Sequence, residues 1–482
     1  MKIAIVGTGF SGICAAIKLK EAGFDNFVLY EKASEIGGTW RDNTYPGAAC
    51  DVKSHLYSFS FEPNANWSRV FSGQAEILAY LKRCVEKYQL QRHIVFNWEL
   101  KSAVYDDDAH AWQISNSEGA SAVANFLVLG NGALHIPQLP QIAGIEAFGG
   151  TLFHSAQWNH HYDLKGKTVA VIGTGASAIQ FVPEIVPKVK QLLLFQRTAP
   201  WILPKPDGEI SEARQWLYRN FSFVRKLYRN SIYWLNELQA VGFVQYPKLM
   251  KAAEKLALLY LKRVVKDEAL RKKLTPTFTF GCKRVLLSNN YLQALTQPNV
   301  TVITEKINAI NENAIVYGNN AEQPVDAIIC GTGFYVTNSF KFLTIKGKNG
   351  VRINDVWSDT PQAYLGTVVA GFPNLFLLMG PNTGLGHNSM IYMIESQVSY
   401  MLEVLKRMRT SAYKSMEVKP EVQDKFISEV YKQFRHTVWN TGCRSWYLTP
   451  SGKNATLWTD FTFKFRKRIL KIDWNEYNFI QH

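Results

Sequence analysis

The sequence predicts an α/β protein with two copies of one βαβ unit and a helical insertion, and three observations carry that prediction. A short apolar run from Lys2 leads into Gly7-Thr8-Gly9-Phe10-Ser11-Gly12, and a helical pattern follows from Ile13 to Leu19. The arrangement returns at Lys167 to Ile172, followed by Gly173-Thr174-Gly175-Ala176-Ser177-Ala178, so that KIAIVGTG is echoed by TVAVIGTG. Across residues 209–273, apolar positions recur at helical spacing, first through Leu217, Val224, Tyr228 and Ile232, then through Leu249, Leu256 and Val264.

Each glycine in the first loop has a physical task. Gly7 permits a tight turn, Gly9 lets backbone approach a pyrophosphate, and Gly12 lets the helix pack on the strand, with the helix N-terminus facing the phosphates. The next strand, Phe27 to Tyr30, ends in Glu31, an acid placed to accept ribose hydroxyls. In the second copy Gly173 and Gly175 repeat these tasks, Ser177 stands at the start of the helix, and Ala178 takes the third glycine's place. Its second strand ends in Gln196-Arg197-Thr198, and Arg197 suits a ribose 2′-phosphate, favouring NADPH over NADH. The expected architecture is therefore two Rossmann-like dinucleotide-binding domains, the first for FAD and the second for NADP.

Between the loops, Gly37-Gly38-Thr39-Trp40 would bring Gly38, Thr39 and Trp40 close to the second half of the first dinucleotide, and Tyr45-Pro46-Gly47 leads to Asp51. Taken alone, Asp51 reads as an ordinary turn acid. Residues 74–90 form an amphipathic helix and residues 94–130 a set of strands. The buried run Asp326 to Cys330, closed by Gly331-Thr332-Gly333, reads as a return to the first sheet. Phe376 to Met379 is a further strand, and a helix starts at Met390. This divides the chain into residues 1–145 (FAD), 146–325 (NADP, with the insertion at about 209–273) and 326–482 (FAD, second part, and tail).

The 482 residues are too many for one core. A net charge of +15 comes without a nucleic-acid motif, so no nucleic-acid partner is expected. The insertion reads as a helical cap with a solvated basic face; the second reading is a lid over a hydrophobic substrate path, with peripheral membrane contact as a minor alternative. No run is long enough to span a bilayer, and Met1 leads directly into a strand with no signal-peptide layout. Cys14, Cys50, Cys84, Cys282, Cys330 and Cys443 are scattered without a C-x-x-C, which speaks against a zinc site or redox dithiol and for a reducing, cytoplasmic location. No metal is expected.

The linker between the two copies reads F-x-G-x-x-x-H-x-x-x-W, through Phe148, Gly150, His154 and Trp158. With this stretch, with GGxWxxxxYPGxxxD complete from Gly37 to Asp51, and with Lys283-Arg284 and Thr332-Gly333-Phe334, the chain resembles the type I Baeyer–Villiger monooxygenases, of the class B flavoprotein monooxygenase family. Two positions depart from the pattern: Asn159 stands for the final Pro or Asp, and Gly331 for the Ala before Thr332. The likeness runs from Met1 to about Trp458 and is greatest to the branch acting on aryl ketones, steroids and other bulky ketones.

The resemblance implies an FAD enzyme that takes hydride from NADPH, retains NADP⁺, and forms a C4a-peroxyflavin with O2. That species attacks a small hydrophobic ketone and inserts one oxygen to give an ester or lactone. Arg284 would be the catalytic arginine, stabilising peroxyanion and oxyanion charge, with Asp51 orienting it. Lys283 and Arg197 would share the 2′-phosphate, and His154 and Trp158 would order the closed state. The alternative is an N- or S-oxygenating flavin monooxygenase, which shares both nucleotide units. Trp158 and the Asp51–Arg284 pair speak against it.

Overall fold

The computed structural model describes residues 1–443 and 445–481. Two five-stranded parallel sheets form its centre. In the first, the strands run in the order Leu375–Leu377, Phe126–Leu129, Ile3–Val6, Phe27–Tyr30, Ile94–Val95. In the second the order is Val300–Ile303, Gln191–Phe195, Thr168–Ile172, Ala327–Cys330, Thr151–His154. The central strands are almost wholly apolar, with Ile3, Ile5, Val169, Val171, Ile328 and Ile329 all at 0–2% exposure, because helices cover both faces of a parallel sheet. Each such side chain contributes roughly 1.5–3 kcal/mol by leaving water.

The duplication is topological as well as sequential. Before Phe126–Leu129 the chain makes an antiparallel excursion (Leu100–Asp106, Ala111–Asn116, Ser121–Ala124), and before Ala327–Cys330 it makes another (Ile307–Ile310, Ala314–Tyr317, Ala321–Pro324). Ala327–Cys330 pairs in parallel with Thr168–Ile172 and Thr151–His154. This corrects the reading of that strand as a return to the first sheet: it completes the second. The chain re-enters the first sheet at Leu375–Leu377, beside Phe126–Leu129, so the start of the last segment at residue 326 falls too early.

The insertion is helical as expected, with helices at Glu212–Asn220, Ser222–Ala240, Met250–Val264 and Glu268–Lys273. The Met390–Thr410 helix lies deep in the first unit, with Ile394, Val398, Met401 and Leu405 buried. The scattered cysteines, read as a sign of a reducing location, include one bonded pair: Cys282 and Cys443 are joined, their Cα atoms 6.3 Å apart, while Cys14, Cys50, Cys84 and Cys330 are free and buried. Free thiols at those four positions no longer speak for the compartment once the fifth and sixth are paired.

Candidate functional site

The first loop is shaped by backbone contact. Gly7 has φ +95°, and a Cβ there would meet the Gly130 carbonyl at 2.8 Å, while one on Gly12 would lie 1.9 Å from the Gly7 carbonyl. Around Gly9 the space is open, a Cβ meeting only the Gly38 Cα at 3.8 Å. The Phe10–Glu21 helix that starts here has no side-chain cap, so its first N–H groups point at that space. The second loop repeats the geometry: Gly173 has φ +107° and faces the Gly331 carbonyl, Gly175 borders open space, and the Ala178–Ile185 helix behind Ser177 is uncapped. Both cradles fit a dinucleotide pyrophosphate.

Glu31 is buried at the end of its strand, and its carboxylate accepts from the Thr8 N–H (3.0 Å), the Thr8 hydroxyl (2.6 Å), the Ala33 N–H (3.0 Å) and Arg41 (2.7 Å). Burial pushes its pKa up, and these bonds together with the Arg41 charge more than offset that, leaving it below the usual range. Arg41 follows Gly38-Thr39-Trp40, so this segment folds back on Glu31. The Trp40 indole donates to the Tyr57 hydroxyl at 3.1 Å.

In the second unit Lys283 is pushed down by burial and by the charge of Arg197. Two cations held together suit a phosphate dianion, the group that distinguishes NADP from NAD. The Lys283 ammonium lies over the Phe278 ring, 4.5 Å from its centroid.

Asp51 and Arg284 meet between the two units although 233 residues separate them. The Arg284 Nε donates to Asp51 Oδ2 at 2.7 Å, Nη2 lies 2.6 Å from the same oxygen, and Nη1 reaches the Leu385 carbonyl at 3.4 Å. Asp51's charge holds the guanidinium pKa above its already high value, outweighing burial. Asp51 reaches this place because Tyr45-Pro46-Gly47 docks on the second unit. Tyr45 donates to Gln180 Oε1 at 2.9 Å, and Gln180 Nε2 donates to the Ala49 carbonyl at 2.9 Å.

Sequence reading missed four residues at this site. Gln180 and the Leu385 carbonyl carry no local signal. Tyr447 is buried beside Arg284 with no partner for its hydroxyl among the described residues; burial pushes it up to about 12, though Arg284's charge acts the other way. Glu237, inside the insertion, is 2% exposed and accepts from Asn388 (2.6 Å), the Thr462 hydroxyl (2.6 Å) and the Thr462 N–H (3.0 Å), with His387 Nε2 at 3.5 Å. Burial raises its pKa, but His387, Thr462 and Asn388 lower it further, so it stays ionised. It ties the insertion to the loop that presents the Leu385 carbonyl to Arg284.

The linker motif lies apart from this pair. His154 ends an edge strand of the second sheet and is buried. Its Nδ1 accepts from the Ala156 N–H at 3.1 Å, and its Nε2 has no partner among the described residues. Trp158 packs on Phe153 and Phe181, with ring centroids at 5.2 and 5.3 Å. A Cβ on Gly150 would meet the Phe148 ring and the Asp326 carbonyl below 3 Å, which explains the glycine. Asn159 accepts from the His161 N–H at 3.1 Å, as an Asp could. At residue 331, an Ala would lie in ordinary contact with Ala178 at 3.5 Å, so that departure from the pattern alters little.

Comparison with known proteins agrees with this geometry. Residues 1–353 match the FMO-like, flavin-binding monooxygenase-like family. A Baeyer–Villiger monooxygenase of Pseudomonas aeruginosa is 51% identical over 99% of this chain and 91% of its own length. One of Streptomyces coelicolor is 42% identical over 100% and 93%. Among solved structures, a steroid monooxygenase bound to NADP superposes with a TM-score of 0.90 at 28% identity, covering 100% of this chain and 99% of that one. A closed cyclohexanone monooxygenase gives 0.91 at 25%, with the same coverage. With a family model matched over residues 1–353 and relatives 51% and 42% identical over nearly the whole chain, the chain belongs to the flavin-binding monooxygenase-like family, among its Baeyer–Villiger monooxygenases.

Proposed function

We propose that Arg284, oriented by Asp51, is the charge-stabilising residue of an NADPH- and O2-dependent ketone monooxygenase that uses FAD and yields esters or lactones. The observation that carries this assignment is the Asp51–Arg284 pair, half-buried between two dinucleotide cradles, with both contacts on one carboxylate oxygen. When bound, FAD supplies the activated oxygen, drawing on hydride from NADPH and on O2.

The chain's own residues supply binding, orientation and charge. Gly7, Gly9 and Gly12 with the uncapped helix behind them hold the FAD pyrophosphate, and Glu31 orients the ribose through its fixed carboxylate. Gly173, Gly175 and Ser177 hold the NADP pyrophosphate, and Arg197 and Lys283 the 2′-phosphate. The Arg284 guanidinium is a cation at every pH the enzyme meets, since Asp51 raises its pKa further. It needs no proton transfer to oppose negative charge developing on the substrate's carbonyl oxygen, and holding it in advance avoids reorganisation during the reaction. His154 and Trp158 order the contact between linker and second sheet, and so act on NADP⁺ retention rather than on oxygen transfer. The substrate is a small hydrophobic ketone.

The test is product analysis. FAD-loaded protein with NADPH, isotopically heavy O2 and a panel of aryl, cyclic and long-chain ketones should give esters or lactones carrying one heavy oxygen. Hydrogen peroxide as the sole product throughout the panel would defeat the reading.

A further inference from the structure

The Ser222–Ala240 helix buries one side and leaves an apolar stripe on the other. Phe223, Leu227, Trp234 and Leu238, with Leu235 beside them, are between 55% and 67% exposed. Their spacing places the first four within about 60° of one another on the helix, over most of its roughly 28 Å length. At one end the rings of Trp216 and Phe221 meet at 5.8 Å, and those of Phe221 and Phe223 at 6.3 Å. At the other, Phe463 of the Thr462–Leu470 helix lies 5.8 Å from Trp234. A water-exposed surface seldom keeps a contiguous apolar strip of this length without a partner.

Charge indicates which partner. Residues 209–273 hold fourteen Lys and Arg against six Asp and Glu, a net +8 of the chain's +15. The Thr462–Leu470 helix adds Lys464, Arg466, Lys467 and Arg468 with no acid. Exposed Arg214, Arg219, Lys226, Lys464 and Lys467 belong to the same three helices as the apolar stripe. No helix among the described residues is long and apolar enough to cross a membrane.

We propose that this face docks flat on an anionic lipid bilayer, with the apolar stripe at the acyl boundary and the cations at the headgroups. A helix with Trp, Phe and Leu on one side, flanked by Lys and Arg, has the chemistry of an interfacial helix. A second copy of the chain fits poorly, because it would set one basic rim against another. The docking face is tied by hydrogen bonds to the loop that reaches Arg284. Glu237, on the inner side of the same helix, bonds Asn388 and Thr462, so the bilayer would lie at a fixed orientation to Arg284.

The experiment measures binding without turnover, which separates it from the ketone oxygenase reading. FAD-loaded full-length protein is sedimented with vesicles of phosphatidylcholine alone or mixed with phosphatidylglycerol, and indole fluorescence is recorded. It should partition onto the anionic vesicles, less so as salt rises. Leu227→Ser/Trp234→Ser should lower partitioning by about tenfold or more, and Lys464→Glu/Lys467→Glu should lower it with the apolar stripe intact. Both variants should keep bound flavin and unchanged turnover of a water-soluble ketone. Equal recovery with both vesicle types, or parental binding by both variants, overturns the proposal. So does a parental dimer on size exclusion that Leu227→Ser/Trp234→Ser splits, which would give the face to a second copy.

Discussion

In the first dinucleotide unit the helix begins at Phe10, three residues after Gly7, and Gly12 lies so close to the Gly7 carbonyl that no side chain fits. In the second, the helix begins at Ala178, five residues after Gly173, runs for 8 residues rather than 12, and contains Pro183. Each loop closes on the glycine that ends its neighbouring strand, Gly7 on Gly130 and Gly173 on Gly331. The same strand plan thus tolerates a tight and a looser helix. On the function proposed above, the tighter one would pack under FAD and the looser one would serve NADP.

The strongest way to sharpen this contrast is to leave both cradles intact and remove the charge between them. Arg284→Ala should lower ester formation by about 10³-fold with flavin absorbance retained. A variant that lost its flavin instead would place Arg284 in the first cradle. Next comes the tight turn itself: Gly12→Ala should be recovered with little bound FAD, whereas Ala178→Gly, costing about 1 kcal/mol of helix propensity, should leave the NADPH KM within about threefold. Flavin content and KM measured on the two proteins decide between a real asymmetry and a formal one. Arg197→Ala should raise the KM for NADPH by about 10- to 100-fold, the worth of a charge-assisted phosphate contact, while that for NADH stays put. Equal losses for both would remove the phosphate role.

The smallest effect concerns how the second unit's insertion is held to the first. The His55 ring lies 4.7 Å from Tyr218 and 5.3 Å from Tyr228, and its pKa is pushed down to about 4 by burial and then by Arg225 and Arg229. It is neutral in the folded protein, so the unfolded chain takes up the proton first. Stability is therefore fully present above pH ~6.5 and falls by about 1.4 kcal/mol per unit down to about pH 4. Melting temperatures between pH 7 and 5 should drop in the parent and flatten in His55→Gln; parallel curves would show that another group carries the dependence.

Much of this was legible in the chain itself. Both cradles, Glu31 and Arg197 follow from strand–glycine–helix order, because the chemistry of a phosphate loop is local. Asp51 and Arg284 were paired through resemblance alone: across 233 residues no spacing rule connects them, and Asp51 by itself looks like a turn acid. The Ala327–Cys330 strand went to the wrong sheet for an instructive reason. Its Gly331-Thr332-Gly333 ending matches the Gly130-Asn131-Gly132 ending in the first unit, and local pattern cannot say which neighbours accept its hydrogen bonds. Gln180, Tyr447 and Glu237 were invisible because an isolated Gln, Tyr or helical Glu is most often solvated. The Cys282–Cys443 pair was missed because 161 residues separate its members.

The Glu237 contacts also limit how such enzymes can be recombined. An insertion of 65 residues with surface helices invites exchange between relatives as a cassette. Here the cassette carries a buried carboxylate whose partners, Asn388 and Thr462, belong to the recipient. A donor segment lacking an acid at this position would leave that niche without its acceptor, and a donor acid facing a recipient without these partners would strand a charge, at a cost of about 3–5 kcal/mol. Chimeras should therefore be cut so that Glu237, His387, Asn388 and Thr462 travel together.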